Sequence, residues 1–113
     1  MFIEESGSVA LDRVRVTIDT SGAVEVVTGA ASVGQGVETV IAQICTLGVH
    51  YRRVRVVHGQ TDRIAFGLGA FGSRVTVMTG EATRLAATKL RAKAIAAAAT
   101  LLQPRRGARP CKR

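Results

Sequence analysis

The sequence predicts an α+β fold: a small sheet with elements in the order β-β-α-β-α, helices on one face and a long C-terminal helix. Three observations point to it. Two runs of alternating β-branched residues flank a Thr-Ser-Gly turn. A third such run follows a short segment with helical periodicity, and the chain then enters a proline-free stretch of strong helix formers.

Residues Arg13 to Asp19 place Val14, Val16 and Ile18 on one side and Arg13, Arg15, Thr17 and Asp19 on the other, the pattern of a half-buried strand. Thr20-Ser21-Gly22 is a turn signal, and Ala23 to Thr28 resumes the pattern, so the two runs form a hairpin. After Gly34-Gln35-Gly36, the apolar residues Val37, Val40, Ile41, Ile44 and Cys45 recur at the spacing of one helix face. Leu47-Gly48 closes that helix. Val54 and Val56 then alternate with Arg53 and Arg55 in a third strand ending near Gly59. Gln60 to Arg74 reads as a long loop punctuated by Gly67, Gly69 and Gly72. From about Val75 to Leu102 the residues favour one long helix, with Ala86, Leu90, Ala94, Ala97 and Leu101 as its buried stripe and Glu81, Arg84, Thr88 and Arg91 opposite. Pro104 stops the helix, and residues 104–113 read as a basic disordered tail following a domain of residues 1–103.

The chain has 113 residues, 47% hydrophobic and 21% charged, which fits one globular domain with a thin core. No apolar run reaches the roughly 20 residues that span a bilayer, and Met1-Phe2-Ile3-Glu4-Glu5 has no leader character, so the expected location is cytoplasmic, without a membrane partner. Cys45 and Cys111 stand alone, with no zinc spacing and no disulfide framework, so no metal ligands are expected. The net charge is +8, but Arg105, Arg106, Arg109, Lys112 and Arg113 crowd the last nine residues. Without them eleven cations face eight acids, and one Tyr, three Phe and no Trp offer little for base stacking. A small basic module for nucleic acid is therefore a secondary reading, resting on charge alone.

Both glycine-rich loops run into helix starts, where unpaired N–H groups and the helix dipole favour anions. Gly34-Gln35-Gly36 and Gly69-Ala70-Phe71-Gly72-Ser73-Arg74 are thus candidate phosphate cradles, with Arg74 as a bidentate donor. A plain tight turn is the commoner meaning of either loop. Neither loop has the GK[ST] ending of a Walker A motif or the Gly-x-Gly-x-x-Gly fingerprint between strand and helix. Glu38 and Asp62 lack acid-base partners at useful spacing and read as solvated carboxylates. His50 and His58 read as a loop and a strand-end residue, and Cys45 as a buried structural thiol.

Several ordered segments carry a resemblance. Gly22 to Gly29, Val33-Gly34-Gln35-Gly36-Val37-Glu38-Thr39 and Ala42-Gln43-Ile44 are followed by Val56-Val57-His58-Gly59-Gln60-Thr61-Asp62, Gly67 to Arg74 and Gly80-Glu81-Ala82. Together they resemble the second molybdopterin-binding domain of the large subunit in the xanthine dehydrogenase, aldehyde oxidase and carbon monoxide dehydrogenase family, over about residues 3 to 103. The resemblance implies an oxidoreductase part that binds molybdenum as molybdopterin cytosine dinucleotide. It implies a hydrogen bond from Gln35 to the apical oxygen ligand of molybdenum, Gly36 and Thr39 along the cofactor, and Phe71, Gly72, Ser73 and Arg74 at the phosphate end. It implies as partners the remaining segments of the large subunit, with iron-sulfur and flavin subunits in the complete enzyme.

The chain departs from that family in two places. Ile44 to Val49 is shorter by about two residues, more than half a helical turn. The basic tail is also unlike the family's continuation. The family's general-base glutamate lies in a later segment, so no catalytic residue is assigned here and a fragment inactive by itself is expected. A truncated gene product without function is the third reading.

Overall fold

A computed structural model describes residues 11–45 and 48–102; the expected tail, Cys111 and the Thr46-Leu47 part of the shortened helix end lie outside them. The expected order is present: β1 (Val14–Ile18), β2 (Val24–Thr28), α1 (Val37–Ile44), β3 (Val54–Val57) and α2 (Gly80–Leu102). A 3-10 turn at Tyr51–Arg53 precedes β3, and a π-helical turn at Val75–Thr79 leads into α2.

β1 and β2 form the antiparallel hairpin, with Val16 opposite Val26. Asp19 holds its turn: one carboxylate oxygen accepts from Ser21 N at 2.8 Å and Ala23 N at 3.0 Å. β3 pairs parallel with the other side of β2, from Val24↔Val54 to Val27↔Val57, giving the order β1-β2-β3. Parallel neighbours need a crossover, and α1 supplies it.

Alternation gives the two sheet faces different coverings. Val24, Val26 and Val54, with the half-buried Val14, Val16 and Val56, pack against Val37, Ile41, Ala42, Cys45, Val75 and Ala87 from the helical layer. On the opposite face, Arg63 of the long loop closes over Glu25, Nη2 to Oε1 at 2.5 Å, and Arg15 Nη2 donates to the Arg63 carbonyl at 3.0 Å. That hydrogen bond from Arg63 holds the Glu25 carboxyl below its ordinary range.

The long helix spans its expected range, but its buried stripe is different. Gly80, Thr83 and Ala87 face the core, while Ala86 and Leu90 are half-buried and every residue from Arg91 onward is exposed. The expected continuation through Ala94, Ala97 and Leu101 is therefore corrected. Length explains it: five-residue strands extend about 17 Å, whereas 23 helical residues extend about 35 Å. The second half of the helix outruns the sheet.

Cys45 caps α1 at 1% exposure, and burial pushes its thiol up from 9.0 to about 11. A raised folded pKa contributes stability fully present below the unfolded value and lost as pH rises through the folded one. Melting temperature should therefore fall between pH 9 and about 11, and less so in Cys45→Ala. In the native chain at pH 8, Cys45 should resist iodoacetamide until the chain is unfolded; rapid native labelling would contradict its burial.

Candidate functional site

β2 and β3 run parallel, so their carboxyl ends lie at one edge of the sheet and the loops that follow both leave from that edge. In open sheets built from such units, ligands bind in the crevice beyond these ends. The two loops meet there closely. A Cβ on Gly29 would sit 2.3 Å from Gly67 Cα, and one on Gly67 2.4 Å from Gly29 Cα; beside this crossing, Gly69 N donates to Gly29 O at 3.2 Å. No side chain fits between the strands of chain at that crossing.

Beyond the crossing the loops enclose a cleft of about 490 Å³, lined by Val33 and Gln35 from the first and by Ala70 to Thr76 from the second. The volume suits a small-molecule ligand. Gln35 and the Phe71 to Arg74 segment, predicted separately from two motifs, are brought together in it. Gly36 and Thr39 are exposed on the α1 side and are not in its lining.

Gln35 is folded back onto its own loop. Its Oε1 accepts from Val33 N at 2.6 Å and its Nε2 donates to Ala31 O at 2.9 Å. This pair fixes which way the amide faces and leaves the second N–H of Nε2 uncommitted. Gly36 then adopts a left-handed conformation, φ 72° and ψ 36°, and places no side chain over the start of α1.

The second loop offers main-chain donors. The N–H groups of Ala70, Phe71 and Gly72 find no backbone carbonyl among the described residues, while Arg74 N donates to Phe71 O at 3.2 Å. Gly72 and Ser73 are both left-handed, at φ 55° and 50°, and Ser73 is the one described non-glycine residue with positive φ. Such a conformation in a non-glycine residue persists where the surroundings enforce it. Phe71 is 48% exposed beside the cleft.

Arg74 differs most from its sequence reading. Its side chain is fully enclosed, at 0% exposure, so the guanidinium expected as a bidentate phosphate donor is engaged within the fold and the reading of it as a surface charge is corrected. Nη2 donates to Leu11 O at 2.7 Å, and Nη1 reaches Gly69 O at 3.3 Å and Asp12 Oδ2 at 3.5 Å. Its carbon centre lies 5.6 Å from the Phe71 ring centroid, and Nε is buried without a hydrogen-bond partner among the described residues. The physical reason is local: two carbonyls and a carboxylate converge beneath the loop, and a forked cation satisfies all three.

A second pairing was invisible to sequence reasoning. Glu38, in the first turn of α1, meets His58 at the end of β3, Oε1 to Nε2 at 2.5 Å. The two residues read separately as a solvated carboxylate and a strand end, and only the parallel pairing of β3 brings them together. Bonding to its own backbone N–H and to His58 holds the Glu38 carboxyl below its usual range. The contact stabilises above the ordinary glutamate pKa and is lost as pH falls through the lowered one.

Among the described residues no helix is long and apolar enough to cross a membrane, and no three His, Cys, Asp or Glu side chains cluster to hold a metal ion. A second hollow, about 460 Å³ between β1 and α2 and edged by Arg13, Arg15, Arg63 and Lys89, contains none of the loop motifs.

The profile of a family described as the molybdopterin cofactor-binding domain matches residues 1–109. The carbon monoxide dehydrogenase large chain of Afipia carboxidovorans is 40% identical over 98 residues, covering 85% of this chain and 12% of that one. The 6-hydroxypseudooxynicotine dehydrogenase complex subunit gamma of Paenarthrobacter nicotinovorans is 41% identical over 90 residues, covering 78% and 11%. A crystal structure of Cu,Mo-CO dehydrogenase in the carbon monoxide reduced state superposes with a TM-score of 0.76 at 39% identity, over 82% of this chain and 12% of that one. The chain thus spans about an eighth of the length of the relatives it matches.

Proposed function

Since the chain belongs to the molybdopterin cofactor-binding domain family, we propose that its two-loop cleft holds part of a molybdopterin cytosine dinucleotide within the large subunit of a molybdenum-dependent oxidoreductase. The observation that carries this is the convergence of Gln35 and the Phe71 to Ser73 backbone on one cleft of about 490 Å³. When bound, the molybdenum centre supplies the redox chemistry, oxygen from water being transferred to a substrate carbon. This chain's residues bind and orient. Gln35 would hold the metal end of the cofactor through the remaining N–H of its amide, which Ala31 O and Val33 N keep in one orientation. The N–H groups of Phe71 and Gly72, which find no backbone carbonyl among the described residues, would receive the phosphate end, and Gly36 and Thr39 flank the approach along α1.

In this reading the remaining large-subunit segments complete the enclosure and carry the general base, and iron-sulfur and flavin subunits accept the electrons. The isolated chain has no turnover. A soluble location in the cytoplasm accords with this assignment.

The test is reconstitution: the chain is produced with the remaining large-subunit segments of a relative lacking the equivalent region. Bound molybdenum and cytidine nucleotide released by acid are then measured. Gln35→Ala should retain cofactor but lower turnover roughly tenfold, because its partner is a metal ligand. Gly72→Ala, placing a Cβ on a left-handed residue in the phosphate loop, should lower retention instead. A wild-type chain that neither associates nor retains molybdenum would remove the assignment.

A further inference from the structure

We propose that Asp12, Arg74 and Thr79 form a buried knot that positions the Gly69–Ser73 loop for anion contact, so that Arg74 acts through the backbone and not on the ligand. The inference rests on the reading of the cleft as an anion site.

Three separate segments are tied by this knot. Leu11 and Asp12 stand at the entrance to β1, Gly69 opens the glycine loop, and Thr79 ends the π-helical turn. Arg74 joins the first two through Leu11 O at 2.7 Å, Gly69 O at 3.3 Å and Asp12 Oδ2 at 3.5 Å. Thr79 Oγ1 donates to the same Asp12 oxygen, and Asp12 Oδ1 accepts from Arg13 N at 2.8 Å. The side chains of Arg74 and Asp12 are 0% and 1% exposed.

Enclosing such a pair is a poor way to add stability, because desolvation offsets most of the attraction; fixing one arrangement among several is its better-attested use. The arrangement fixed here is the loop's. With Gly69 O drawn to the guanidinium and Phe71 O engaged by Arg74 N, two loop carbonyls have partners within the fold. Among the described residues the N–H groups of Ala70, Phe71 and Gly72 find no backbone carbonyl, although all three residues line the cleft. Neither Asp12 nor Thr79 lines the cleft, so any effect of theirs on a ligand passes through the loop.

The experiment uses the full chain, with inorganic pyrophosphate as the probe, and variants Arg74→Lys, Asp12→Asn and Thr79→Val. Pyrophosphate affinity, melting temperature and amide exchange of Ala70 to Ser73 are measured for each. Arg74→Lys keeps the charge but cannot fork across Leu11 O, Gly69 O and Asp12. Affinity is expected to fall about tenfold, as for other residues that orient a ligand-contacting group. Asp12→Asn and Thr79→Val should weaken binding similarly and speed loop exchange while β2 amides stay protected.

Full affinity in Arg74→Lys would mean that charge at position 74 suffices, and would overturn the proposal. So would unchanged affinity and exchange in folded Asp12→Asn and Thr79→Val. If Arg74→Lys fails to fold, the other two variants decide. If pyrophosphate does not bind the wild-type chain, the anion-site reading falls, and loop exchange in the variants still decides whether the knot holds the loop.

Discussion

Arg74→Met is expected to destabilise the chain by about 3–5 kcal/mol, because it leaves Asp12 charged and enclosed without its cation. A domain of this size has roughly 5–15 kcal/mol in total, so the variant should be largely unfolded a few degrees above room temperature. The double variant Asp12→Leu/Arg74→Met removes both charges and should recover part of the loss. Its remaining deficit comes from the Thr79 hydroxyl and the Leu11 and Gly69 carbonyls, which lose their partners. Urea denaturation of the two variants measures the difference. Equal stabilities would mean that the enclosed carboxylate is not what makes Arg74 necessary.

Gly67→Ala is expected to cost about 3 kcal/mol, toward the upper end for overpacking, because the added methyl runs into the backbone of Gly29. It would lie 2.4 Å from Gly29 Cα, 2.8 Å from Gly29 O and 2.9 Å from Gly29 C, none of them the movable end of a side chain. Gly29→Ala places a methyl in the same gap and should cost a similar amount. Once either alanine has forced the loops apart, the second adds little, so the double variant should lose much less than the sum of the singles. Strict additivity in denaturant unfolding would show that the two positions do not share one gap. Because both loops run from this crossing to the residues that line the cleft, either alanine should also weaken anion binding in variants that remain folded.

Much of the fold was legible because its signals are local. Val14 and Val16 alternate with exposed residues, Val37, Ile41 and Cys45 recur at helical spacing, and both patterns survive in the structure with these sides turned inward, although Ile18, read on the same side of β1, is 41% exposed. The parallel pairing of β3 with β2 was not legible, since alternating Val and Arg look the same in either direction. With it were hidden the meeting of Glu38 with His58 and the lengths that leave the end of α2 beyond the sheet.

The candidate site divides the same way. Gln35 and Phe71 to Ser73 were found by glycine punctuation and by resemblance, whereas Asp12 and Thr79 carry no local signal. A charged residue in a single sequence reads as surface, and Arg74 is inside only because acceptors from distant segments converge on it.

The exposed half of α2 divides the chain into regions of very different opening energy. From Arg91 to Leu102 the helix rests on its own hydrogen bonds and on alanine's propensity, and an unsupported helix of that length is marginal in water. Opening there need not disturb β2 or α1, so it should occur far more often than global unfolding. Among the described residues trypsin should therefore cut the free chain first after Arg91 and Lys93, leaving a resistant core that ends near Leu90. Burial of this rod against another polypeptide would abolish those cuts without altering the core, which makes early cleavage after Arg91 a direct gauge of whether the helix has found its neighbours.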